Sequence, residues 1–158
     1  MNHILQAGQQ QRQRIETAAE AVANLNPGAT PEVVLVLGTG LGALVSEISD
    51  SVTIPYQEIP GFPTSTAPGH AGRLHIGQIG RARVLAFEGR FHLYEGWHMD
   101  DIVLPIRISC RLGVSSAIFS NSCGGMNRDL QKGDLLILDD HINLLGANPL
   151  TGANHDDW

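Results

Sequence analysis

The run Val33-Val34-Leu35-Val36-Leu37 contains no polar position and passes directly into Gly38-Thr39-Gly40-Leu41-Gly42. Apolar residues without alternation suit a strand covered on both faces, as in a parallel sheet. Upstream, residues 4–25 carry apolar positions at roughly helical spacing through an alanine-rich middle, and Asn26-Pro27-Gly28 supplies a stop, which predicts a surface helix. Downstream, Leu41, Leu44, Val45 and Ile48 fall on one face of a short helix over residues 41–49, and residues 52–55 read as a brief strand. Residues 74–79 and 82–88 predict an antiparallel pair turned at Gly80-Arg81. Residues 100–111 have helical spacing through Ile102, Val103, Ile106 and Cys110 and end at Gly113. A second buried strand is expected over residues 114–120, and Leu135-Leu136-Ile137-Leu138 is a third apolar run. Between the brief strand and the hairpin, residues 58–70 are too rich in proline and glycine for regular structure, and a loop of that length marks a lid or gate.

Strands alternating with helices predict an α/β fold with ligand sites beyond the carboxyl ends of the strands. At 158 residues, with 42% apolar and 16% charged side chains, the chain makes one globular domain and has no room for a second. Its net charge is -6 and its only lysine is Lys132, so nucleic acid and anionic membranes are excluded as expected partners. Cys110 and Cys123 show no pairing pattern, which fits a reducing compartment, and no apolar run approaches the roughly 18–20 residues of a membrane span. A cytoplasmic protein is expected. Residues 146–158 have no periodicity and end on the aromatic Trp158.

Three strand ends are followed by groups that can do chemistry: Gly38-Thr39-Gly40, Gly89-Arg90-Phe91-His92-Leu93-Tyr94-Glu95 and Asn121-Ser122-Cys123-Gly124-Gly125. In a parallel sheet such ends meet at one crevice. The glycine loop has two readings, an anion cradle of exposed N–H groups with the Thr39 hydroxyl, or a plain turn in which glycine relieves crowding. Arg90 and His92 are two apart, so in extended backbone they share a side and suit a phosphate, unless they are a surface arginine and a packed histidine. Residues 38–43 also satisfy the loose dinucleotide pattern, with Glu58 at the right distance for its acid but off a convincing strand end. His70 either reaches a ligand or caps a turn. Asp139-Asp140-His141 either joins a metal site or ends a strand, and no third ligand of suitable spacing stands near it.

As a set, these segments resemble the trimeric, inosine- and guanosine-cleaving class of purine nucleoside phosphorylases. The resemblance runs from Val33 to Trp158. It rests on the glycine loop, Pro68-Gly69-His70-Ala71-Gly72-Arg73-Leu74, Gly89 through Gly96, Asn121 through Asn127, and Asp140-His141-Ile142-Asn143-Leu144 with Asn148-Pro149-Leu150. It implies a mixed, mainly parallel sheet flanked by helices and phosphorolysis of purine nucleosides to free base and (deoxy)ribose 1-phosphate. Inorganic phosphate is then a substrate, with no metal or organic cofactor. Phosphate binding is implied for Thr39, His70, Arg90, Phe91, His92 and Ser122, with Arg90 and His92 catalytic. Nucleoside contacts are implied for Tyr94, Cys123 and Gly124, and for Trp158 reaching a neighbouring subunit of a homotrimer. Many relatives carry alanines where this chain has Ser122-Cys123. Methylthioadenosine phosphorylases share the sheet but differ around His141-Ile142-Asn143, and they rank second. Family members are markedly longer, so residues 1–158 are expected to form a single incomplete domain, poorly active alone or a non-catalytic phosphate-binding remnant.

Overall fold

A computed structural model describes residues 2–26, 30–64 and 71–152. Strand β1 (Val33–Leu37) lies between β4 (Ala82–Glu88) and β5 (Ser116–Phe119) and is parallel to both. β4 pairs antiparallel with β3 (Arg73–Ile79), and β3 with β2 (Ser49–Pro55), giving the order β2-β3-β4-β1-β5. The sheet is mixed, as expected, although parallel and antiparallel pairings are equal in number among the described residues instead of mainly parallel.

The absence of polar positions in β1 follows from its two buried faces. Val34 and Val36 join Leu74, Ile76, Leu85 and Phe87 beneath α1 (Asn2–Leu25) and α3 (Leu104–Arg111), which contribute Ile15, Ala18, Val22, Leu104 and Ile108. Leu35 and Leu37 face the other way, with Val84 and Ala86, against Ile48, Leu44 and Val45. Each such side chain gains about 1.5–3 kcal/mol on burial, so a polar residue anywhere in β1 would forfeit one of two cores. The hairpin β3–β4 turns at Gly80-Arg81 as predicted, and Gly80 takes φ +60°, which glycine adopts without strain. No helix among the described residues is long and apolar enough to cross a membrane.

Four local expectations change. The helix expected over residues 41–49 is a 3₁₀ turn, Gly42–Glu47, because Gly40 has φ +90° before it and β2 already begins at Ser49. The helix expected over 100–111 is broken at Val103 into α2 (Met99–Ile102) and α3, since Pro105 lacks an N–H and fits only the first turn of a new helix. β5 is a strand but not a buried one. It is one of the sheet's two outer strands among the described residues, and Ile118 and Phe119 are 57% and 63% exposed. The run 135–138 pairs with no strand among the described residues, and its side chains are 60–94% exposed.

Candidate functional site

β4, β1 and β5 are parallel neighbours, so their carboxyl ends open on one edge of the sheet, and residues 89–95, 38–42 and 120–125 leave it side by side. The convergence expected from sequence is therefore present, and side-chain contacts tie it together. Arg90 reaches from the end of β4 across β1 to β5, where Nη1 donates to the Ser120 carbonyl at 2.6 Å. Ser120 Oγ accepts from the Gly38 N–H at 2.9 Å. A Cβ on Gly38 would lie 2.4 Å from the Ser120 carbonyl oxygen and 3.1 Å from Arg90 Nη2, so only glycine lets the three segments close up. The guanidinium is thus held directly against the start of the glycine loop. Thr39 follows on the exposed side, and nothing lies within 4 Å of where a Gly40 side chain would project. A positive fork, loop N–H groups and a hydroxyl around open space can receive an anion.

The base of this fork is fixed from the core. Tyr56 is fully buried, and its hydroxyl donates to the Gly89 carbonyl at 2.8 Å, immediately before Arg90. Burial, and secondarily the negative charge of Glu88, push its phenol well above the usual tyrosine range, so the donor keeps its proton. Phe91 turns its ring into the same core, with centroids 5.8 Å from Tyr56, 5.8 Å from Phe62 and 5.3 Å from Trp97. That leaves only its backbone to meet a phosphate.

His92 is half-buried, with Nδ1 in close contact with a carboxylate oxygen of Glu95 and its ring stacked on Tyr94 at 4.7 Å. Glu95 also accepts from Trp97 Nε1 at 3.2 Å, so one carboxylate fixes both the imidazole and the indole. Tyr94 is 83% exposed, an accessible aromatic face beside His92. Ser122 and Cys123 are exposed beyond β5, and a side chain on Gly124 would meet nothing within 4 Å.

Other assignments shift. His70 and Trp158 lie outside the described residues. The gate expected over 58–70 does not hold for its first part. Ile59 and Phe62 are buried, and Arg14 Nε donates to the Gly61 carbonyl at 2.6 Å, while 65–70 lie outside the described residues. Glu58 follows β2, separated from β1 by β3 and β4, so it cannot serve as the dinucleotide acid beside the glycine loop. Asp140 accepts from the His141 N–H at 2.7 Å and is exposed with it. Sequence reasoning missed Ser120, Tyr56 and Glu95 as supports of the site. The first two depend on strand order and core packing, which carry no local motif, whereas Glu95, three residues after His92, was open to inspection.

A family model described as the phosphorylase superfamily matches residues 32–157. The chain is 46% identical over 143 residues to purine nucleoside phosphorylase 1 of Geobacillus stearothermophilus, covering 90% of this chain and 52% of that relative. It is 42% identical over 129 residues to the purine nucleoside phosphorylase of Bos taurus, covering 80% and 45%. Among solved structures, isoform 2 of purine nucleoside phosphorylase from Schistosoma mansoni, in complex with cytosine and ribose-1-phosphate, superposes with a TM-score of 0.82 at 38% identity. That match covers 92% of this chain and 52% of the other. The chain spans about half the length of the curated relatives it matches.

Proposed function

The chain belongs to the phosphorylase superfamily, and we propose that it forms the phosphate-holding part of a purine nucleoside phosphorylase site. The observation that carries this reading is Arg90 spanning the ends of β4, β1 and β5 beside the open glycine loop. The names of its relatives, and the ribose-1-phosphate bound by the Schistosoma protein, favour a purine nucleoside with an unsubstituted ribose over methylthioadenosine.

In the proposed reaction a phosphate oxygen forms a bond to the anomeric carbon as the bond from that carbon to the purine nitrogen breaks. The electron pair leaves with the base. Thr39, Arg90, His92 and the Ser122 backbone hold the nucleophile in line, and its negative charge stabilises the oxocarbenium-like sugar. Glu95 keeps His92 oriented. His70 closes on the same anion, Tyr94 meets the ribose, and Cys123 and Gly124 line the purine side. Inorganic phosphate is a substrate, and no metal or organic cofactor is used. The whole protein is a cytoplasmic homotrimer in which Trp158 reaches the neighbouring site.

A second reading, anion binding without turnover, is favoured for residues 1–158 alone by the exposed apolar surface from Ile118 to Leu150. Thr39, Arg90, His92 and Ser122 serve the phosphate and leave the departing purine without an acidic or amide partner among them, and each 1.36 kcal/mol of lost transition-state binding costs about tenfold in rate. The test is hypoxanthine release from inosine by the purified chain, with and without phosphate, checked by intact mass. Near-background release is expected, and phosphate-dependent turnover at an ordinary enzymatic rate would contradict this division of labour.

A further inference from the structure

Glu88 ends β4, two residues before Arg90, and stands in register with Leu37, the last residue before the glycine loop. Its Oε1 lies 3.6 Å from where a Cβ on Gly42 would sit, while Arg90 Nη2 lies 3.1 Å from the equivalent point on Gly38. A carboxylate therefore stands at one end of the loop and a guanidinium at the other. The carboxylate is firmly held. Oε2 accepts from Arg73 Nε at 3.0 Å and lies 2.9 Å from Arg73 Nη2 and 2.9 Å from His75 Nε2. His75 is 6% exposed, and its Nδ1 is 2.9 Å from Thr53 Oγ1, so β2, β3 and β4 together fix the position of one negative charge.

A fixed negative charge beside an anion cradle opposes the occupant, and partial burial keeps solvent from screening it fully. We propose that Glu88 sets the anion affinity of the glycine loop, lowering it so that phosphate and a sugar phosphate dissociate readily. This rests on the phosphate reading above. Arg73 and His75 hold the carboxylate and offset part of its charge. Glu88 is a positioning and affinity-setting residue that acts on the anion through space, not a group that touches it.

Sulfate is the probe, because its charge is constant across neutral pH. Calorimetric titration compares the full chain with Glu88→Gln, which retains an oxygen acceptor for Arg73 and His75. The variant is expected to bind sulfate about three- to tenfold more tightly, with the gain shrinking as sodium chloride is raised. Arg73→Gln, at a half-exposed side chain, leaves the carboxylate less compensated and is expected to bind about twofold or more weakly. A purely structural Glu88 would loosen the loop when changed. Unchanged or weaker sulfate binding by a folded Glu88→Gln therefore overturns the proposal and leaves the phosphate reading standing. Should that variant not fold, unchanged or tighter binding by Arg73→Gln overturns the proposal instead. Sulfate binding by neither the parent chain nor Glu88→Gln overturns both readings.

Discussion

At the scale of the residue, the site depends on groups that never face a ligand. Tyr56 holds the Gly89 carbonyl from within the core, so Tyr56→Phe leaves a buried acceptor unpaired at a cost of about 1–3 kcal/mol. Urea unfolding near neutral pH should show that loss. The phenol's raised pKa adds a pH signature. The unfolded tyrosine ionises near pH 10 while the folded one keeps its proton, so its contribution is complete below about pH 10 and is lost as pH rises further. Tyr56→Phe should therefore lose stability less steeply than the parent above about pH 10, and equal slopes would contradict the burial argument. Arg90 and His92 were legible as a pair from their spacing, but not their partners. Ser120 lies just past the end of β5, 30 residues away in sequence.

At the scale of the element, the sheet divides into a packed part and an open one. β1, β3 and β4 have a neighbour on each side and buried faces, whereas β5 and the run 135–138 present apolar side chains to solvent. Hydrogen exchange on the dilute chain should show slow amides in β1, β3 and β4 and nearly unprotected ones at 135–138. Strong protection at 135–138 would contradict the described arrangement. β1 and the β3–β4 hairpin were readable in advance because their signals are local: an unbroken apolar run, and two largely apolar stretches joined at Gly80-Arg81. The same apolar signal misled at 114–120 and 135–138. Composition reports a preference for burial, and burial itself requires a neighbour that the described residues do not provide. The break at Val103 is hard to read because helical spacing continues through it, and Pro105 alone signals the start of a new helix.

At the scale of the whole molecule, an open outer strand and many exposed leucines and isoleucines favour association over a free monomer. Sedimentation velocity should show mass rising with concentration in the micromolar range, and a stable monomer there would contradict both trimer formation and looser assembly. Arg90, whose guanidinium spans the ends of β4, β1 and β5, is the cation held against the glycine loop and so the group expected to attract an anion there. The most direct test of that claim is calorimetric titration of inorganic phosphate into the parent chain and Arg90→Ala. A charge-assisted contact is worth about 1.5–3 kcal/mol, so the variant should bind phosphate at least about tenfold more weakly. Equal affinity in the two chains would contradict the account.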